Sequence, residues 1–199
     1  MRLIKTSLLL ASLLCLALTL GCGDFGKVNQ GRVIEFNQAT GEVTYIQDSN
    51  YMEPGKPKYD VLPPVTIKIP VDPKEMGPEP EAGKRMVLDY QNRKIVIFDT
   101  YTQDFLTINY TLIEQVDGVF RDDPRVAGIS FPIVDREKKT ITVYSSRQHE
   151  LVTFSVPDEL FQRPDDTWKA GDEIRYYYKD PKQALRLMNV TKTDIFGGH

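Results

Sequence analysis

Two histidines, two cysteines and five methionines are all the imidazole and sulfur ligands this 199-residue chain contains, so the chemistry open to it is narrow. Acyl transfer needs a nucleophile with a base in reach. The only imidazoles are His149, within Ser146-Arg147-Gln148-His149-Glu150, and the terminal His199. There is no Gly-x-Ser-x-Gly elbow and no Gly-rich phosphate loop running from a strand into a helix. Carboxylates are plentiful: Asp72, Glu75, Glu79 and Glu81 in one stretch, and Asp158, Glu159, Asp165, Asp166, Asp172 and Glu173 in another. Glycoside hydrolysis would need two of them facing each other roughly 5 to 9.5 Å apart across a cleft. None follows the Asp-x-Asp-x-Asp-Gly order of a calcium loop. A soft metal would have to draw on His149, Trp168, Met86 and Met188, which include no Met-x-Met pair. Methionines so scattered read first as core filler. Tyr176-Tyr177-Tyr178 sends alternate rings to opposite faces of a strand. Tyr176 and Tyr178 together are therefore the candidate platform for stacking a sugar ring.

One cysteine carries a sharper signal. Arg2 and Lys5 precede an apolar run from Leu8 to Leu20 that ends in Thr19-Leu20-Gly21-Cys22. A basic start, an apolar core of about a dozen residues and a small residue before the cut describe a secretory signal, and the run is too short for a span of roughly 20 residues. The motif resembles the bacterial lipobox, with Thr19 where Leu is usual. The expectation is a signal peptide over residues 1–21, a diacylglyceryl group on the sulfur of Cys22, and anchoring by more than one acyl chain. Cys15 leaves with the signal. The mature chain then has no free thiol, which excludes disulfides, thiol catalysis and cysteine-ligated metals. Gly23 after the cysteine leans towards the outer of two bacterial membranes, with the protein on the periplasmic side. The tether, residues 22–27, reaches roughly 17 Å over its last five residues, which keeps the domain close to the bilayer.

Loss of Arg2 and Lys5 leaves 23 basic residues against 28 acidic ones. With no basic stripe and no interleaved aromatics, nucleic acid is not an expected partner. The chain is rich in Val, Ile, Thr, Tyr and Phe and is cut into short pieces by 13 Pro and 13 Gly, which is an all-β composition. Val33–Phe36, a polar loop 37–42 and Val43–Ile46 read as a hairpin. Ile133-Val134, loop 135–140 and Ile141–Tyr144 repeat it in the same register. Val65–Pro70 matches Val152–Pro157, and Ala82-Gly83 and Ala170-Gly171 each introduce a further strand, Met86–Tyr90 and Ile174–Tyr178. The reading is a tandem duplication: two small β-barrels of OB or SH3-like type over 28–117 and 129–199, joined by a linker at 118–128. The alternative is a single antiparallel β-sandwich, in which hairpins look alike because they share turn chemistry. Gln47–Leu62, without an apolar period, is expected to be a long irregular loop.

The stretch Thr142–Tyr178 resembles small periplasmic OB barrels that carry copper, with Trp168 ahead of Ala170-Gly171-Asp172 but without their thioether pair. Over nearly its whole mature length the chain resembles a family of bacterial lipoproteins of about 200 residues, whose domain is known only as one of unknown function. The residues that carry this are Gly31-Arg32-Val33, Val61-Leu62-Pro63-Pro64-Val65, Met76-Gly77-Pro78-Glu79-Pro80, Ile95–Asp99 and Asn189–Asp194. The resemblance implies a surface-anchored protein without recognised enzymatic activity and supplies no active site; no cofactor is expected. The expected function is a non-catalytic binding or scaffolding module, held to a membrane through Cys22 and contacting another envelope protein or a glycan. A copper carrier and an envelope glycan-binding protein or hydrolase are the alternatives.

Overall fold

The computed structural model describes residues 25–53 and 55–193. Twelve strands are present among them: β1 (Lys27–Asn37), β2 (Glu42–Asp48), β3 (Tyr59–Lys68), β4 (Arg85–Asp89), β5 (Lys94–Asp99), β6 (Asp104–Asn109), β7 (Thr111–Asp117), β8 (Ile133–Asp135), β9 (Thr140–Ser145), β10 (Glu150–Ser155), β11 (Glu173–Tyr178) and β12 (Ala184–Asn189). Among the described residues, helix is confined to α1 (Asp158–Phe161) and to short 3-10 turns at Pro73–Glu75 and Asp165–Thr167. The all-β reading therefore holds, in its sandwich-like form. The strands make three antiparallel sheets, ordered β12-β11-β1-β2-β3, β7-β10-β9-β8 and β4-β5-β6, and none closes into a barrel.

Two separate barrels are thus corrected, and the pairing of β1 with β11 shows why. Lys27 lies opposite Tyr178 and Arg32 opposite Glu173, so one sheet draws strands from both sides of residues 118–128. The two Ala-Gly segments meet at this crossing. A Cβ on Gly83 would lie 2.4 Å from the Lys169 carbonyl oxygen, and one on Gly171 would lie 1.8 Å from that of Val33. Only backbones without side chains approach so closely. Val33 N–H donates to Asp172 O at 2.9 Å and Asp172 N–H to Glu81 O at 2.8 Å, which stitches the two halves together.

The hairpins do look alike for the reason of shared turn chemistry. In five of them the last paired residues flank a four-residue loop: Asn37 with Glu42, Asp89 with Lys94, Asp99 with Asp104, Asp135 with Thr140, and Ser145 with Glu150. In each the oxygen-bearing side chain before the loop accepts a backbone N–H from inside it. The fourth loop residue takes positive φ in every case, at Gly41, Arg93, Gln103, Lys139 and His149. Asn, Asp and Ser favour such turns because their side chains mimic the missing backbone bond.

Period-two alternation then distributes the apolar side chains. Ile95 and Ile97 of β5 face the β7–β10 sheet, where Ile141, Val143, Val152 and Phe154 close over Trp168 and Phe161. Phe98 of β5, with Met86 of β4, faces the other way onto Ile34, Ile46 and Tyr59. The far side of the five-stranded sheet holds Val33, Val43, Tyr45, Ile67, Ile174, Tyr176 and Leu187, covered by Ile69, Met76 and Ala82 of the long β3–β4 connection. The segment expected to be irregular over Gln47–Leu62 is strand at both ends, and its loop spans 49–58.

Candidate functional site

A largely buried set of polar and charged side chains lies on the inner face of the five-stranded sheet, where β1 and β11 bring two groups each and β2 and β3 one each. Register places Arg32 beside Glu173, Gln30 beside Arg175 and Asp48 beside Tyr59. The Glu173 carboxylate accepts hydrogen bonds from Tyr59 Oη at 2.7 Å, from Gln30 Nε2 and from Arg147 Nη2. Its side chain is 5% exposed. Arg147 comes from the β9–β10 loop, so this ion pair ties the five-stranded sheet to the β7–β10 sheet. Arg175 Nε donates to Gln30 Oε1 at 2.7 Å. The Arg32 guanidinium stacks over the Tyr59 ring, 4.2 Å from its centroid, and donates to Met86 O at 2.8 Å. Burial pushes the Tyr59 hydroxyl up to about 12, which keeps it a donor to Glu173.

Arg85 at the start of β4 is fully enclosed and is held by carbonyl oxygens, donating from Nε to Trp168 O at 3.0 Å. Burial, aided by the charge of Arg32, pushes its guanidinium down to about 9. A neighbouring cluster forms around Asp172, whose Oδ2 accepts Asn189 Nδ2 at 2.8 Å and the Glu81 N–H at 2.9 Å. Lys192 bridges Glu81 at 2.8 Å and Asp172 at 3.6 Å. Lys169 and Lys192 together hold the Glu81 carboxyl down at about 2. Asp99 and Arg163 form a third pair at 3.0 Å. At the far end of β10, burial and then the Asp117 carboxylate raise Glu150 above the usual range, and the Gln115 amide donates to both acids at 2.9 and 3.3 Å.

The residues singled out from the sequence are dispersed. Cys22 and His199 lie outside the described residues. His149 occupies a positive-φ turn position and packs on Phe120, ring centroids 4.3 Å apart. Met86 belongs to the core between β4–β6 and the five-stranded sheet, Trp168 to the core between β4–β6 and β7–β10, and Met188 lies opposite Arg175 on β12. The structure brings none of these four together. Tyr176 is not an open platform: it is buried, its hydroxyl 2.6 Å from that of Tyr45, with Tyr178 stacked beside it at 5.2 Å. The outward ring is Tyr177. The reason is that Ile174 and Tyr176 share the face of the five-stranded sheet that the β3–β4 connection covers, with Tyr178 half-buried at its end. Of the carboxylates, Asp72 caps the Pro73 turn, Glu75 pairs with Arg186, Asp158 with Lys139 and Asp165 with Arg136. Among the described residues, no three His, Cys, Asp or Glu side chains converge as a metal site.

Sequence reasoning missed Arg32, Tyr59 and Arg147, which stand about 30 and then nearly 90 positions apart. No pattern along the chain marks them as partners, since Arg32 is one of several polar residues in β1. The other feature it missed is an open concavity of about 430 Å³ at the start of β1, lined by Lys27, Val28, Asn29, Gln47, Tyr51 and Tyr178. A family model described as a domain of unknown function (DUF4881) matches residues 24–198, so the chain belongs to that family. No curated protein and no solved structure matches the chain.

Proposed function

We propose that this member of the DUF4881 family is a membrane-anchored envelope lipoprotein, lipidated at Cys22, that acts as a non-catalytic binding or scaffolding module. The observation that supports the reading is how the polar groups are spent. Glu173, Asp172, Asp99 and Glu81 are each engaged by cations, amides or a hydroxyl of the fold itself, and Glu150 with Asp117 shares the Gln115 amide. A carboxylate so held is a poor proton carrier, because moving its proton breaks a buried network. What the fold leaves for contact with other molecules is its surface. The bacterial origin, the periplasmic location, the outer-membrane preference and the envelope protein or glycan as partner belong to this reading and rest on the sequence at Thr19–Gly23.

The test compares the native chain with Cys22→Ala. The expected outcome is a mature protein beginning at Cys22 with acyl mass on that residue, found in the membrane fraction, and a variant that carries no acyl mass. Affinity purification of the native form should then recover the same envelope component in repeated preparations. A mature native chain without acyl mass would overturn the anchor. Turnover of a glycan or ester substrate by the purified protein would overturn the non-catalytic reading.

A further inference from the structure

Of the twelve exposed large apolar side chains among the described residues, four come from three segments that the fold brings together. Phe25 is 87% exposed, Met52 78%, Val28 45% and Tyr177 37%, and the four belong to one end of the molecule. Val28 and Tyr177 are direct cross-strand partners on β1 and β11. The Gly26 N–H donates to the Tyr177 hydroxyl at 3.1 Å, which sets Phe25 beside that ring. Tyr51, adjacent to Met52, shares a concavity with Val28, and its carbonyl lies 3.5 Å from Arg175 Nη2. Three segments distant in sequence therefore present apolar groups together: the start of β1, the β2–β3 loop and the end of β11.

We propose that this end of the molecule seats on a phospholipid bilayer, with Phe25, Val28, Met52 and Tyr177 entering the headgroup region. Two features select a lipid surface over other occupants. Only three residues after Cys22 stands Phe25, about 10 Å of extended chain, so a bilayer holding the acyl groups also meets whatever surrounds Phe25. This argument rests on the lipidation reading. The second feature is the chemistry of the end itself. Aromatic rings with a polar tip and apolar bodies flanked by cations suit an interface where one side is wet and the other greasy. Lys27, Arg175 and Lys179 flank the patch; the acids nearest to them in sequence are Asp24, Glu173 and Asp180, of which Glu173 is taken up by Arg147, and Lys58 is tied to Asp60 at 2.8 Å. Lys27, Asn29, Gln47, Tyr51 and Tyr178 line a recess whose residue types suit a phosphate headgroup, and cations near the surface favour anionic lipid. The opposite end of the same sheet, where β3 runs out towards Val71, defines the face turned to solvent.

The experiment uses the full native protein in vesicles of phosphatidylethanolamine and phosphatidylglycerol containing a phospholipid with a photoreactive group in its acyl chain. Labelled peptides are read by mass spectrometry. The expected result is labelling of Phe25–Val28, Met52 and Tyr177 at least about tenfold above that of Val71 and Tyr101, which are as exposed as Phe25 but lie elsewhere. Equal labelling of the two sets would overturn the proposal, as would crosslinks showing that a second copy of the chain covers Phe25 and Tyr177. The same spectra report the mass at Cys22: acylation with no selective labelling sinks the bilayer seat alone, whereas selective labelling without acylation sinks the anchor alone. A double variant, Phe25→Ser with Met52→Ser, lies outside the sheets and should cut the labelling of Tyr177 severalfold with an unchanged unfolding midpoint. Undiminished labelling in that variant would also overturn the seat.

Discussion

Glu173 shows how much one side chain can organise: its two oxygens take hydrogen bonds from Tyr59, Gln30 and Arg147, which arrive from three different elements. Glu173→Ala leaves the Tyr59 hydroxyl buried without its acceptor and the Gln30 amide with only the long contact to Asp48 Oδ2 at 3.5 Å. The Arg147 side chain is 41% exposed and recovers water, so the expected loss is about 2 kcal/mol rather than the larger cost of stranding a fully buried charge. Urea unfolding of the variant against wild type measures it. Glu150 works in the opposite sense. Its carboxyl is raised by burial and by Asp117, so the native state holds that proton more tightly than the unfolded chain, and stability falls as pH rises from the ordinary value of 4.5 through the raised one. Glu150→Gln removes the ionisation and keeps a hydrogen-bonding amide beside Asp117. Its melting temperature should exceed that of wild type at pH 8 and lose that advantage at pH 4; a difference independent of pH would refute the assignment. Glu81, held at about 2 by Lys169 and Lys192, contributes stability that is present above 4.5 and fades as pH falls towards 2. Tyr176, by contrast, shows a residue type promising in the sequence and taken over by the core.

At the scale of elements, the recurrent four-residue loop is the main device. Three of its positive-φ positions are filled by Arg93, Gln103 and Lys139, residues for which the left-handed region costs about 1–2 kcal/mol. Replacing Gln103 or Lys139 by Gly should raise stability by up to about 1 kcal/mol, since the strain relieved is partly offset by the freedom gained in the unfolded chain. Gly41→Ala should cost about 1 kcal/mol for the converse reason. Where β1 crosses the Ala-Gly segments the margin is smaller. Gly171→Ala puts a methyl against the Val33 carbonyl, where no side chain can give way, and a loss of about 3 kcal/mol or more is expected, in the upper range of single substitutions. Thermal unfolding of this set orders the predictions: Gly171→Ala lowest, Gly41→Ala below wild type, Gln103→Gly above it.

Over the whole molecule, β5 is the strand that makes three sheets into one body, since Ile95 and Ile97 face one core and Phe98 the other. Trp168, completely buried between the β4–β6 and β7–β10 sheets, is the largest side chain of that assembly. Trp168→Ala should cost about 3–5 kcal/mol, and a single cooperative transition, lowered as a whole, is the outcome expected if the sheets unfold together. Separate transitions for 28–117 and 129–199 would contradict the shared five-stranded sheet. Composition and period-two patterning by themselves determined that the chain is all-β, where most strands lie and which short polar runs turn, because those properties depend on neighbours within a few residues. The likeness of its hairpins was equally legible, and it reflects a common turn. Local patterns carry no information about which strands pair across more than a hundred residues. Tertiary structure alone decided that β1 joins β11, that Gly83 meets Gly171, that Tyr176 turns inward, and that Arg32, Tyr59, Arg147 and Glu173 share one buried network. Those outcomes follow from burying both faces of β1 and β5 at once, a condition that no single segment can express.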